Sequence, residues 1–251
     1  MTQNVFYATA RGLIRLYARL TMKLDIQWES LLPPGPKLFV ANHPSGTDPF
    51  LIHLASPHPV SVLVSAKAFA VPLFGYYIRK ARQIPVNPGQ GSEVLEQARQ
   101  MLESGYSVAI FPEGDFSPQA GGFQRPRSGA ARLALATGVP VIPVGIALQN
   151  GWRYSITSKI AGKPTIGYWY LHGPYSMTVG KPMLFNGDVN DREQVGAATE
   201  RIMAQIVSLA AESERRLERK PLTGLDTALQ MALKTVYTFV IGLLSSGVTN
   251  M

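Results

Sequence analysis

Four short apolar, β-branched runs set the frame of this chain: "KLFVAN" (37–42), "VSVLVS" (60–65), "SVAIF" (107–111) and "VPVIPVGIAL" (139–148). Their length and continuous apolar character suit strands buried on both faces. Between them the spacing turns helical, over 49–56, 91–104 ("GSEVLEQARQMLES") and 129–137 ("GAARLALAT"). Ser92 is placed to cap the second of these helices and Gly105 to end it. Short strands alternating with helices predict an α/β layer structure. Further on, "TIGYWYLHGPYSMTVGKPMLF" reads as two strands about a His-Gly-Pro turn, and residues 190–219 as a long polar helix. No internal repeat or low-complexity linker interrupts the 251 residues, so a single domain is expected.

The formal net charge of +8 predicts an anionic partner. Within residues 1–24, Arg11, Arg15, Arg19 and Lys23 recur every fourth position with no acidic residue among them. Like charges at that spacing weaken a helix, so something outside it must compensate. Phe6, Leu13, Ile14, Leu16, Tyr17, Leu20 and Leu24 surround the stripe. A basic amphipathic helix of this kind fits an anionic membrane surface; an ordinary surface helix packed on the core is the alternative. Nucleic acid is a poor match, because the basic residues are spread over a lipid-like helix and several loops. The tail 222–251 carries only Asp226 and Lys234 as charges, and Leu225, Leu229, Leu233, Val236, Val240 and Leu244 recur at helical spacing. Its apolar run "VYTFVIGLL" is far short of the roughly 20 residues a spanning helix needs, so this apolar C-terminal helix is expected in the interface or on the body. With no signal peptide, the expected place is the cytoplasmic face of the cell membrane, peripheral or monotopic.

The stretch "FVANHPSGTDPFLI" (39–52) turns abruptly from apolar to polar and back, with His43 and Asp48 five positions apart. With 4 His in the chain, chance alone gives about 0.1 such His–Asp pairs, so spacing by itself says little. Pro44, Gly46 and Pro49 prevent a regular helix here, which lets the two side chains turn toward each other. Asp48 before Pro49 also reads as a helix N-cap, and the two roles can coexist. As chemistry, an Asp on one imidazole nitrogen fixes the tautomer and leaves the other nitrogen to take a proton from an alcohol. Such a base needs an activated partner, and a thioester is one. Backbone N–H groups at the helix entered by residues 44–49 are the expected donors to the oxyanion. The chain has no cysteine, which excludes disulfides, thiolate catalysis and Cys-based metal sites. His53 and His58 match no metal-ligand spacing, so neither metal nor other cofactor is expected. Ser45 makes a poor nucleophile, with its base only two residues away on a Pro-containing loop. Glu113 reads either as a turn residue or as part of a site, and "GYWY" (167–170) as half-buried strand.

"NHPSGTD" resembles the N-H-x-x-x-x-D motif of the glycerolipid acyltransferases, the 1-acylglycerol-3-phosphate (lysophosphatidic acid) acyltransferase family. "AFAVPLFGYYIRKARQIPVN" (68–87) falls where that family's second block lies, "FPEG" (111–114) is similar to the start of its F-P-E-G-T-R block, and "SGAARLALATGVPVIPVGI" (128–146) resembles its final block. The ordered set covers residues 35–150, the expected catalytic core of one acyltransferase domain. The resemblance implies an α/β fold, a mixed central sheet flanked by helices with an N-terminal amphipathic membrane-docking helix. It implies His43 as base, Asp48 as its partner, and Asn42, Glu113 and Gly114 at the acceptor. The donor would be acyl-CoA or acyl-carrier protein and the acceptor a lysophospholipid, first of all 1-acyl-sn-glycerol-3-phosphate, giving phosphatidic acid. Two departures stand out: Asp115–Phe116 replaces Thr-Arg, and Asn87 replaces an Arg, at positions associated with the acceptor phosphate. Losing two Arg removes bidentate, charge-assisted bonds. Arg79, Arg82, Arg125 and Arg127 are the candidates to replace them. A non-phosphate acceptor such as a glycolipid or another lysolipid, or a catalytically silent membrane-binding relative, is the alternative.

Overall fold

The computed structural model describes residues 2–71, 73–149, 151–160, 163–219 and 224–248, with side chains described except at 2–6, 158–160, 163–165, 225 and 239–248. The chain opens with helix α1 (Thr2–Thr21), which passes directly into strand β1 (Met22–Trp28). The helix expected over 1–24 therefore ends at Thr21, and Lys23 stands on a strand rather than on the helical stripe. Met22, Leu24, Ile26 and Trp28 alternate with polar residues, which is the two-residue period of a strand. The expected apolar runs follow as β2 (Leu38–Ala41) and β3 (Val60–Ser65), separated by α2 (Asp48–Leu51) and a 3₁₀ turn over Ile52–Ala55. Next come α3 (Phe74–Lys80), a short β4 (Ile84–Val86), α4 (Gly91–Glu103), β5 (Ser107–Ile110), α5 (Gly129–Thr137) and β6 (Val141–Leu148). Ser92 lies inside the first turn of α4 and does not cap it; Gln90 holds that position without a side-chain bond. Gly105, at φ +86°, does end α4. Strands β7 (Tyr154–Ile160), β8 (Lys163–Trp169) and β9 (Gly173–Val179) and helices α6 (Arg192–Arg219) and α7 (Gly224–Val248) complete the order. Phe6, Leu225, Val240 and Leu244, whose side chains entered the sequence argument, lie outside the described side chains.

Seven strands form a mixed sheet in the order β1-β9-β6-β2-β5-β3-β4, in which only the β6–β9 pairing is antiparallel. The two strands expected around the His-Gly-Pro turn do not pair with each other. Strand β8 pairs with β7 in a separate two-stranded ribbon, while β9 enters the large sheet between β1 and β6.

The period of two in β2 sorts its side chains between two cores. Phe39 and Ala41 pack with Leu51, Ile52 and Leu54 on one face. Leu38 and Val40 pack with Ala98, Ala131, Ile202 and Ile206 from α4, α5 and α6 on the other. Gly145 permits the closest approach, since a Cβ there would meet the backbone N of Ala210 on α6 at 2.0 Å. The crossover leaving β2 thus runs over one face and the one leaving β5 over the other. Adjacent parallel strands whose connections part in this way open a crevice beyond their carboxyl ends, the usual ligand position in open α/β sheets. His43 follows β2 there, and Glu113 follows β5.

Candidate active site

The loop from Asn42 to Asp48 is held from within. The Asn42 amide donates to the Ile146 carbonyl (2.8 Å) and accepts from the Ile146 N–H (2.7 Å), so it extends the sheet bonding between β2 and β6 by one residue. Both ends of that buried side chain are engaged, so Asn42 positions the start of the loop. Asp48 is fully buried, and its carboxylate accepts from the Ser45 N–H (2.7 Å), the Ser45 hydroxyl (2.8 Å), the Tyr175 hydroxyl (2.9 Å) and His43 Nδ1 (3.0 Å). No Lys or Arg supplies a countercharge in this set; hydrogen bonds alone satisfy the carboxylate. Burial, then the Asp48 charge, holds the Tyr175 phenol protonated far above the ordinary tyrosine range, so it remains a donor. The capping reading of Asp48 does not hold. Thr47 is the N-cap, Asp48 opens the helix with Pro49 behind it, and its side chain turns back to the loop.

With Nδ1–H directed at the carboxylate, His43 presents Nε2 as the nitrogen able to take a proton. Its ring stacks on Phe111 (centroids 4.3 Å apart, 22° between planes) and touches Phe116 (4.7 Å), and its side chain is 15% exposed. Phe116 in turn meets Tyr168 of β8 edge to face at 5.7 Å. The ribbon of β7 and β8 is thereby drawn over the crevice, and the Gly46 N–H donates to the Tyr168 carbonyl (2.6 Å).

Glu113 is also buried, and it faces inward. Its carboxylate accepts from the His43 N–H (3.0 Å), the Ser117 hydroxyl (2.6 Å) and the Gln124 N–H (2.7 Å). It therefore fixes His43 and both arms of the following loop. Gly114 at φ +68° lets the Arg127 side chain lie across it, since a Cβ would stand 2.4 Å from Arg127 Nε. The backbone donors expected at the helix entry are committed. The N–H groups of Ser45, Gly46, Thr47, Asp48, Phe50 and Leu51 all bond within the loop or to Tyr168, and Pro44 and Pro49 have none.

The other charged residues scatter. Arg125 and Arg127 are exposed on the loop after Glu113. Arg79, exposed on α3, donates to the Phe69 carbonyl (2.8 Å). Arg82 lies 4.7 Å over the Tyr106 ring, and Tyr106 precedes β5, so Arg82 stands at the amino end of the sheet, opposite the crevice. Arg11 is drawn to the body, its Nε donating to the His53 carbonyl (3.1 Å), and Lys23 pairs with Asp226 (2.7 Å). Only Arg15 and Arg19 of the expected membrane stripe are exposed on α1. Beside the His43 loop, α1, α2 and α3 enclose an apolar cavity of about 130 Å³, lined among others by Ile14, Gly46, Phe50, Ile78 and Trp169. No group of three or more His, Cys, Asp or Glu side chains able to hold a metal occurs among the described residues. Sequence reasoning missed Tyr175 and the contact of Phe116 with His43. Ser45, dismissed as a nucleophile, is instead one of the residues that fix Asp48.

The model of the family described as "Acyltransferase" matches residues 23–147, about half of the chain. Among curated relatives, the chain is 37% identical over 144 residues to a lyso-ornithine lipid O-acyltransferase of Pseudomonas aeruginosa, covering 55% of this chain and 52% of that one. It is 25% identical over 173 residues to a 1-acyl-sn-glycerol-3-phosphate acyltransferase of the same organism (66% and 62% covered). A chloroplastic 1-acyl-sn-glycerol-3-phosphate acyltransferase of Brassica napus is 30% identical over 129 residues (49% and 36%). The chain spans about half the length of the curated relatives it matches. In fold it is similar to the 1-acyl-sn-glycerophosphate acyltransferase PlsC of Thermotoga maritima, with TM-score 0.59 and 20% identity over 82% of this chain and 80% of that one. The matched residues run from β1 to β6 and so carry both loops of the crevice, where sequence likeness and side-chain geometry coincide: the chain belongs to the acyltransferase family.

Proposed function

We propose that the chain is an O-acyltransferase that moves a fatty acyl group from a thioester to the free hydroxyl of a lysolipid bearing no terminal phosphate. His43 Nε2 takes the hydroxyl proton as the oxygen attacks the thioester carbonyl. The tetrahedral intermediate then collapses, the C–S bond breaks, and the thiolate leaves with the acceptor acylated. A thiol of ordinary pKa, about 8.5, leaves without strong acid assistance. Asp48 holds the tautomer and stabilises the imidazolium. The apolar cavity beside the His43 loop takes an aliphatic chain.

The observation that carries the choice of acceptor is Phe116. Where the family resemblance implies a phosphate-holding Arg, an aromatic ring lies against His43. Asp115 beside it and Asn87 after β4 add no positive charge, and Arg82 stands at the far end of the sheet. A carboxylate at 115 repels a phosphate and attracts an ammonium group. A zwitterionic amino-acid lipid, such as the lyso-ornithine lipid named for the relative, fits that balance. Arg125 and Arg127 then suit the phosphates of the donor, acyl-CoA or acyl-carrier protein.

The outer face of α1 exposes Leu13, Leu16 and Leu20 beside Arg15 and Arg19. We read it as lying on an anionic bilayer at the cytoplasmic face. The test of the reaction is mass-spectrometric detection of acylated product from palmitoyl-CoA and a panel of lysolipids. The expected result is turnover by the natural chain, reduced at least about 10³-fold in kcat by His43→Ala. Equal turnover by the variant would remove His43 from the chemistry.

A further inference from the structure

The C-terminal helix α7 is amphipathic in the inverse sense. Its charged side chains, with Gln230 and Tyr237, reach toward the body. Asp226 pairs with Lys23 of β1, and Gln230 donates to the Thr21 carbonyl (3.2 Å) while its amide oxygen accepts from His172 Nδ1 (3.0 Å). Lys234 Nζ lies 5.7 Å over the Trp152 ring, and Tyr237 stacks on His172 (5.5 Å, 5° between planes). The opposite face is open and uncharged, apolar except for threonine hydroxyls such as that of Thr235, which bonds back to the Met231 carbonyl (3.0 Å). Leu229 is 52%, Met231 52% and Val236 56% exposed, and Ala232 is exposed between them. From Gln230 to Val248 the only charge is Lys234. A helix packed on a protein and facing water shows the reverse arrangement, with its apolar stripe inward.

The same pattern recurs next to it. On α1, Leu13, Leu16 and Leu20 are outward at spacings of three and four; on α7, Leu229, Ala232 and Val236 repeat those spacings. Contacts run in opposite order along α7 and the stretch from α1 into β1, with Tyr237 at Tyr17, Gln230 at Thr21 and Asp226 at Lys23. The last turn of α1 therefore lies against α7, and each helix keeps its apolar residues exposed. We infer that α1 and α7 dock together on an anionic bilayer as one two-helix unit, with α7 supplying apolar contact and α1 both apolar contact and charge. This rests on the membrane reading of α1 given above. A bilayer fits better than a second copy, because two-fold pairing of this surface would set Arg15 and Arg19 against themselves, whereas anionic lipid attracts each of them. The inner face of α1 lines the apolar cavity through Ile14, so docking by its outer face would hold that cavity one helix away from the lipid.

The test uses the full chain and vesicles of phosphatidylcholine with and without phosphatidylglycerol. Leu229→Ser/Met231→Ser/Val236→Ser should lose at least tenfold in vesicle partitioning while keeping turnover on detergent-dispersed lysolipid within twofold. Leu13→Ser/Leu16→Ser/Leu20→Ser should lose binding as strongly. Because the chain has no cysteine, a dye on Met231→Cys gives a second readout that leaves the face intact. It should shift to the blue with anionic vesicles, and the same dye on Ser104→Cys should not. Natural binding by the α7 variant, with no dye shift, would overturn the inference and leave the α1 reading standing. Binding lost in the α7 variant but kept in the α1 variant would overturn both. A dimer that becomes monomeric in the α7 variant, with vesicle binding unchanged, would make the face a self-association surface and overturn the inference as well.

Discussion

At the residue scale, the site is a buried carboxylate whose four donors come from one local loop and one distant strand. His43 and Ser45 are within five positions of Asp48, whereas Tyr175 is 127 positions away. The local part was legible in "NHPSGTD", because two prolines and a glycine forbid a straight helix between the paired groups. The Tyr175 hydroxyl was not, because it reaches Asp48 only once β9 has entered the sheet. Removing it tests the division of labour. Tyr175→Phe should cost about 1–3 kcal/mol, since it strips one donor from a buried charge, and it should lower kcat less than His43→Ala does. A stability equal to that of the natural chain in urea unfolding would show that the carboxylate does not need this donor. His53 gives a pH prediction. Burial, aided by Arg11, pushes its imidazole down to about 4, and its Nδ1 has no hydrogen-bond partner. The unfolded chain, at about 6.5, binds the proton more readily. Stability is therefore complete above about pH 6.5 and falls as pH drops toward 4, by at most about 3 kcal/mol in total. His53→Gln should flatten unfolding free energy against pH in that window, and an unchanged slope would assign it to other groups.

At the scale of elements, the apolar runs gave their strands because β2 and β5 are buried throughout and β3 and β6 over their first halves, so little surface requirement obscured the signal. The strand β1 escaped notice for the opposite reason. Met22 and Leu24 fit the helical stripe of α1 as well as they fit a strand, and Lys23 completed a spacing of four. What ends the helix is the parallel pairing of Met22–Trp28 with Gly173–Val179, a contact made far along the chain. The ribbon of β7 and β8 was half seen, because its second strand was assigned to a hairpin with β9. Contact between α6 and β6 depends on Gly145, with no room for a methyl group against the Ala210 backbone. Gly145→Ala should destabilise by at least about 3 kcal/mol, read as a loss of soluble, cooperatively melting protein. Gly196 on the same helix meets nothing within 4 Å, and Gly196→Ala should stabilise by roughly 0.5–1 kcal/mol. Equal melting of the two variants would contradict the close packing of α6 on the sheet.

At the scale of the whole molecule, the sheet brings the ends of β2 and β5 together and so makes one site of two loops that are 70 positions apart at His43 and Glu113. The motifs told which residues meet; they did not tell what stands around them. The ring of Phe116 on His43, the far placement of Arg82 and the commitment of every N–H at the helix entry came only from the folded chain. Together they separate two questions that the family resemblance joined, namely what reaction occurs and which headgroup is accepted. In the proposed function the reaction is assigned to His43 and Asp48, and the headgroup preference to positions 87, 115 and 116. The most direct measurement is a competition, with lyso-ornithine lipid and lysophosphatidic acid supplied in equal amounts with palmitoyl-CoA and both products counted by mass spectrometry. The expected result is at least about tenfold preference for the lipid without a terminal phosphate, narrowed in the Asp115→Thr/Phe116→Arg variant. A natural chain that prefers lysophosphatidic acid would contradict it.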